Sequence, residues 1–435
     1  MNIKATAMNT AMKYVLLVLI YALIFIKYQD FLKIDSDTII MARINIENKL
    51  NMYKNSKLSS VQLKKIVFSI MICCIISNTK AENATDTFFG QGLQFGSKDS
   101  NYYMKFSARL QSRFDGTFVE GNSFTKKYQF RRARFKFDGF TFSPKLVYKI
   151  EYDLVNSQML DAVLKWNFAG NFHLWLGQTK LPGNRERVIS SQKLQFVDRS
   201  LLNSKFNIDR DIGVQLRHSF NMGGMVIREA LSLSKGEGRK FNGPNIGNDY
   251  TGRLELLPFG EFAGKGDYFS SDLKREATPK LAFGISYDYN EDAVKSRGQL
   301  GDVLTESRDL STVFMDMMYK YKGVSILAEY ANKNAANGTA AIFDTTGDLV
   351  ESFYTGSAVN AQMGYLFKNN WEISGRYTTV TPEKVTQNND LKQLTLGLSK
   401  YIVGHSLKVQ SDLSLLQEDS KDDKLIFRLQ LELAF

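Results

Sequence analysis

The chain has 435 residues, with 43% hydrophobic and 23% charged side chains but only 31 Gly and 6 Pro. That balance excludes collagen-like and low-complexity disordered classes, and a mean hydropathy below zero excludes a bundle of transmembrane helices. The formal net charge of +11 is unevenly placed: residues 1–81 hold 11 Lys+Arg and 4 Asp+Glu, leaving 45 basic and 41 acidic residues in 82–435, an excess of only +4. With most of the surplus confined to a leader, a nucleic-acid partner is not expected.

That leader reads as export sequence. The run Tyr14 to Ile26, flanked by Lys13 and Lys27, is thirteen residues long, short of the ~20 needed to cross a bilayer. A second run, Ile66 to Ile76, follows Lys64 and Lys65 and precedes a small residue at Ala81. A basic start, an apolar centre and a small residue at the cleavage point predict a secretory signal over 52–81. Two such segments in series lead us to expect an internal start at Met41 or Met52, with 1–51 an upstream extension or misassigned start; a genuine interfacial segment is the alternative. Both cysteines, Cys73 and Cys74, lie in the signal and neither follows a small residue, which argues against a lipoprotein signal. A chain beginning at 82 has no cysteine, so disulfides and thiolate chemistry are excluded. Residues 82–100 are expected to be a short periplasmic segment.

From Asn101 onward the hydrophobic period is two. Tyr102, Met104, Phe106, Ala108 and Leu110 alternate with Lys105, Ser107, Arg109, Gln111 and Arg113. Alternate residues face opposite sides of a strand, so each segment has one apolar and one polar face. Leu146 to Leu154, Leu160 to Phe168, Ile212 to Leu216, Leu281 to Tyr289, Trp371 to Tyr377 and Leu425 to Phe435 repeat the pattern, with about sixteen such segments in all. Connections at 141–144, 169–171, 221–224, 322–323, 368–370 and 403–404 are short. Those at 119–126, 181–208, 236–249, 290–309, 332–356, 379–390 and 417–423 are long and fall on the opposite side. Short turns on one rim and long loops on the other predict an all-β transmembrane antiparallel barrel over 101–435, set in outer-membrane lipid. Two connections break the rule: 156–159 is short and 258–278 is long.

Two basic clusters stand out against this frame. Outward positions are even at Tyr128 and Phe130 but odd at Ala133, Phe135 and Phe137. A single β-bulge at Arg131-Arg132 accounts for the switch and turns both arginines inward, with Arg134 and Lys136 continuing the inner face. Without it Arg131 would project into lipid at a real cost. Stray arginines on a solvated wall are the plainer alternative. The second cluster is 181–208, the third connection on the long-loop side once 156–159 is counted, with its flanks: Lys180, Arg185, Arg187, Lys193, Arg199, Lys205, Arg210 and Arg217 stand against Glu186, Asp198, Asp209 and Asp211. Ordinary loop solvation is the plainer alternative there.

Phe130-Arg-Arg-Ala-Arg-Phe, Tyr148-Lys-Ile-Glu-Tyr-Asp, Leu176-Gly-Gln-Thr-Lys-Leu-Pro, Phe196-Val-Asp-Arg-Ser and Arg210-Asp-Ile-Gly-Val-Gln resemble the phosphate-selective porin O and P family. The likeness runs from about Asn101 to Phe435. It implies a sixteen-stranded homotrimeric barrel of the Gram-negative outer membrane, a third loop folded inward, and lumenal arginines guiding phosphate or polyphosphate. Arg131 and Arg132 match the paired arginines of the family's second strand, Arg210 the start of its sixth, and Arg199 its loop motif. The expected anion wall is therefore Arg131, Arg132, Arg134, Lys136, Arg210 and Arg217, and the expected constriction is Arg185, Arg187, Lys193, Arg199 and Lys205. Arginine suits phosphate because its planar fork donates two hydrogen bonds and stays charged.

The alternatives are a general non-selective porin and a surface adhesin-like barrel. An enzyme is not expected. Of the three histidines, His218 and His405 each precede a serine, and strand neighbours face opposite ways and cannot pair for catalysis. Three histidines and no cysteine after residue 81 leave no expected metal or cofactor site.

Overall fold

The computed structural model describes residues 89–96, 101–119, 124–239, 241, 243 and 247–435. The expected leader and extension lie outside the described residues. In chain order the strands are β1 (Leu93–Gly96), β2 (Tyr102–Val119), β3 (Thr125–Thr141), β4 (Ser143–Asp153), β5 (Gln158–Ala169), β6 (Phe172–Lys180), β7 (Arg210–Met222), β8 (Met225–Ser234), β9 (Asp249–Leu257) and β10 (Lys280–Lys295). They continue as β11 (Val303–Tyr321), β12 (Val324–Ala335), β13 (Ala341–Phe343), β14 (Leu349–Ser352), β15 (Gly356–Leu366), β16 (Trp371–Pro382), β17 (Leu391–Val403), β18 (Leu407–Glu418) and β19 (Lys424–Ala434). Sixteen of them form one antiparallel barrel that closes where β19 pairs with β2. The remaining three are β1, which pairs with β2 at Tyr103–Phe106 beyond the end of β19, and the β13–β14 hairpin, which decorates one loop.

Closure leaves no open edge, so every strand can cross lipid with its backbone groups paired. The side-chain period then sorts outside from inside. On β17, Leu394, Leu396 and Leu398 face out while Gln393, Thr395 and Ser399 face in and are buried. Leu396 is 60% exposed and Thr395 0%, the reverse of a soluble core. That inversion is what a lipid surround requires.

The rim where β2 begins and β19 ends has mainly short turns, at 142, 170–171, 223–224, 322–323, 367–370 and 404–406, and by the usual asymmetry this is the periplasmic rim. Both rule-breaking connections persist, as 154–157 and 258–279. The loop expected at 290–309 shrinks to 296–302, because β10 and β11 stay paired out to Lys295 and Val303.

The connection 181–209 folds into the lumen. It carries two short helices, α1 (Arg185–Val188) and α2 (Leu201–Phe206), the second capped by Ser200, whose hydroxyl accepts from Asn203 N at 3.1 Å. Glu186 ties the two arms together by accepting from Ser200 N at 3.0 Å and Ser200 Oγ at 2.5 Å. The loop packs its apolar side chains on one wall. Leu202, Phe206 and Ile208 bury against Phe314, Ala331 and Val380, and Ile189 and Leu194 against Met318 and Leu327. Each such side chain contributes about 1.5–3 kcal/mol. Polar seats match: Val197 N donates to Asp412 at 3.0 Å, and Lys408 Nζ donates to the Leu194 carbonyl at 2.9 Å. Glycines on this wall leave room. A Cβ at Gly364 would overlap the Gln195 amide, and one at Gly397 would come within 3.0 Å of the Phe196 ring. Loop and β10–β18 wall therefore fill that half of the lumen, and open space remains beside β3–β8.

Candidate functional site

The open space is a cavity of about 850 Å³. It runs from Asn156, Gln158 and Arg239 at the extracellular end to Lys145, His173 and Lys265 at the periplasmic end, with Arg187 and Arg199 of the folded-in loop facing it. Fifteen lysines and arginines line it against six aspartates and glutamates. A second space of about 790 Å³ adjoins it on the periplasmic side and shares Arg134, Lys149, Glu151 and Ser190.

The bulge on β3 is present: Gln111 pairs with Arg132 and Ser112 with Phe130, so Arg131 is the extra residue. Arg131, Arg132 and Arg134 all line the cavity. Arg132 donates to Gln111 Oε1 at 2.7 Å and lies 4.0 Å from Asp198, while Arg134 bonds Glu151 at 3.0 Å and Asp153 at 3.3 Å. Lys136 sits lower, in the second space, paired to Asp138 at 2.7 Å. Arg210 is buried against Asp161 at 2.9 Å, and Lys149 reaches the same carboxylate at 2.6 Å. Arg217 lies 4.2 Å from the Trp175 ring, and Lys165 3.8 Å from it.

The loop residues divide. Arg199 donates to the carbonyls of Glu186 at 2.9 Å and Ile189 at 2.7 Å. Arg187 pairs with Asp209, which also holds Arg239 at 2.7 Å. Lys193 lines the lower space with its ammonium 3.7 Å over Phe269. Two expected constriction residues need correction. Arg185 touches neither space: it is fully buried among Asp316 at 2.7 Å, Glu255 at 3.1 Å and Asp267 at 3.6 Å, because a guanidinium sunk into the packed half of the lumen must be paired. Lys205 lies over Tyr354 at 4.8 Å beside Arg297, in a separate extracellular recess, because α2 turns its last residues upward from the passage.

Burial and crowding by like charge act together on the loop cations. Burial, then Arg199, Arg210 and Arg239, push the Arg187 guanidinium well below its usual range. Burial, against the upward pull of Glu186 and Asp198 and aided by Arg210 and Arg134, lowers Arg199 to about 10. Burial, then Lys136 and Lys265, lowers Lys193 to about 8. Asp198 moves the other way: against the upward push of burial, Arg113, Arg132 and Arg131 hold its carboxyl well below the usual carboxylate range. Burial is thus the main cause for the loop cations, and like charge adds to it.

Lys180, named with the loop cluster, lines the cavity too, whereas pattern reading missed Lys145, Lys149, Lys165, Arg228, Arg239, Arg253 and Lys265. Inward parity was the only signal of those on strands, and Arg239 and Lys265, on connections, had none. Leu160, expected to face lipid, faces in at 2% exposure. A second bulge explains it: Glu151 pairs with Asp161 but Tyr152 with Met159, so Leu160 is the extra residue and both it and Asp161 turn to the lumen. Among the described residues, no group of three or more ligating side chains could hold a metal ion.

A closed sixteen-stranded barrel, apolar outside, with an inward loop beside a charged passage, is an outer-membrane porin channel. The chain belongs to the phosphate-selective porin O and P family, whose profile matches residues 104–435. It is 23% identical over 387 residues to an uncharacterized protein of Aquifex aeolicus (strain VF5), covering 77% of this chain and 87% of that one. In fold it is similar to a loop L8 deletion mutant of OmpT, an outer membrane protein of Vibrio cholerae, with a TM-score of 0.50, 12% identity, and coverage of 77% of this chain and 100% of the other. The outer membrane channel DcaP of Acinetobacter baumannii superimposes with a TM-score of 0.49 and 13% identity, over 78% and 99% of the two chains.

Proposed function

We propose that the passage conducts small anions by passive diffusion, with phosphate-class oxyanions, polyphosphate included, as its substrates. The observation that carries this reading is the excess of fifteen basic over six acidic side chains along a single narrowed route. Charged rings in a narrow pore set the sign of the permeant ion. Arg131, Arg199, Arg217 and Lys165 contribute most. Their described partners are neutral: carbonyls for Arg199, Gln215 and Trp175 for Arg217, Trp175 for Lys165, and no ion pair at Arg131 among the described residues. An anion entering the route meets cations whose charge is not already spent. Family membership supports phosphate as the anion and a homotrimer as the assembly. Export by the 52–81 signal, with 82–100 leading into the barrel, completes the proposal.

A non-selective porin is the second reading, favoured by the carboxylates Glu151, Asp161 and Asp209, which neutralise much of the wall. Reversal potentials in bilayers separate the two, measured under chloride and then phosphate gradients. Anion-signed potentials that persist in phosphate support the first reading. Cation-signed or vanishing potentials refute it.

A further inference from the structure

Among the described residues, 258–279 is the one long connection on the periplasmic rim. It does not hang into the periplasm. Phe262, Asp267, Ser270, Ser271 and Asp272 are all buried. We infer that this segment is a second constriction element, a half-plug that rises from the periplasmic rim to meet the inward loop inside the barrel, and that Asp267 is a positioning residue holding that loop in place.

Three contacts fold the segment inward. Lys320 on β11, 1% exposed, donates to the carbonyls of Gly266 at 2.8 Å, Phe269 at 2.8 Å and Ser271 at 2.7 Å, so all three ammonium protons are used on one short stretch of backbone. Asp272 accepts from Gly323 N at 2.8 Å, pinning the segment to the next turn. Phe262 packs in the same cluster as Ile189 and Leu194 of the loop, so the two segments share one apolar core.

The two also bond directly. Ser270 N donates to the Lys193 carbonyl at 3.0 Å, beneath the Lys193 ammonium stacked on Phe269. Asp267 lies 2.6 Å from Arg228 on the wall and 3.6 Å from Arg185 in the loop. Arg185 is wholly buried, and a buried guanidinium with too few carboxylates is strongly destabilising; one of its three comes from the periplasmic segment. The half-plug therefore narrows the periplasmic mouth and fixes how far the loop descends, and ions reach the β3–β8 route through the lower space that the segment lines with Phe269, Lys274 and Arg275. This inference rests on the channel and not on anion preference, so a cation-signed potential would sink the previous proposal and leave this one standing.

Paired Lys193→Cys and Ser270→Cys substitutions test the meeting of the two segments, since residues 82–435 contain no other cysteine. A disulfide-linked peptide pair recovered by mass spectrometry from oxidised, folded barrels is the expected result, and its absence overturns the inference. Lys320→Met tests the consequence: single-channel conductance rises, by up to roughly twofold, as the periplasmic mouth beneath the loop widens. Asp267→Asn leaves the segment's shape but loosens the loop, so open-state current noise increases. Unchanged conductance and noise in both variants, with folding verified by heat-modifiable mobility, overturn it.

Discussion

Replacing Arg131 and Arg132 together by alanine removes two of the fifteen cations that line the passage. The packing survives, because Arg131 is the extra residue of a bulge and Asp198, the carboxylate near Arg132, keeps Arg113 at 2.7 Å. A unit charge ~5 Å from a passing anion contributes ~0.8 kcal/mol in bulk water and ~3 kcal/mol at a protein-like permittivity. In a water-filled lumen with a protein wall, ~1 kcal/mol per arginine is the working figure, hence ~2 kcal/mol for the pair. At ~1.4 kcal/mol per decade that is at most a thirtyfold loss of local anion occupancy. Screening over ~10 Å at 0.1 M salt trims it to about fivefold. Reversal potentials under a potassium phosphate gradient read the change as a fall in the anion-to-cation permeability ratio, larger at low salt than high. Lys421→Ala, on the outer β18–β19 turn, is the control and leaves the ratio unchanged. A double variant that folds, conducts and keeps the wild-type ratio refutes the reasoning.

The Lys193 ammonium, lowered to about 8 by burial, Lys136 and Lys265, is charged at neutral pH and neutral above that value; anion preference is therefore full below pH 7 and declines as pH rises through about 8, and Lys193→Met flattens that part of the curve. Arg185→Leu removes one arginine from Asp316, Glu255 and Asp267, which keep Arg253 and Arg228, at a cost of ~1.5–3 kcal/mol; thermal unfolding in detergent moves to lower temperature and current noise rises, and an unshifted transition contradicts the pinning role. Leu396→Arg places a charge on the lipid face at mid-strand for ~2–4 kcal/mol, read as lost refolding yield into bilayers, whereas lumen-facing Ser219→Arg refolds normally. Asp209→Asn frees Arg187 and Arg239, so phosphate current saturates at about fivefold lower concentration, and an unchanged half-saturation point contradicts the assignment.

The barrel was legible because lipid on one side and water on the other force a period of two over every crossing strand. Arg131 was legible for a related reason: an arginine at an outward parity position signals that the parity has slipped. The same slip at Leu160 was invisible, since a leucine offends neither face and only pairing with β4 reveals it. Arg185 looked like any basic loop residue; what buries it is a set of carboxylates on β9, β11 and the periplasmic segment, far along the chain and brought near only by closure of the barrel. Lys149 and Lys165 went unnoticed because one charge at an inward position is what any solvated wall shows. Spacing reports which face a residue takes, and not what it meets across the lumen.

The carboxylates among the arginines bear on how such a passage conducts. A channel site must attract its ion and also release it. Were Arg187, Arg210 and Arg239 unpaired beside Arg199 and Arg132, the crowded guanidiniums would bind an oxyanion through several charge-assisted bonds and hold it. Asp209 and Asp161 remove part of that charge and clamp the forks in fixed orientations. Cations satisfied by carbonyls, amides or an indole remain above and below them. Arg199 lies on the loop and Arg131 on β3, and Lys165 and Arg217 on the two strands flanking Trp175. A route of moderate sites in series, each ready to pass its ion to the next, follows from that alternation. The pairing that dilutes the net charge is thus what keeps a basic passage from becoming a trap.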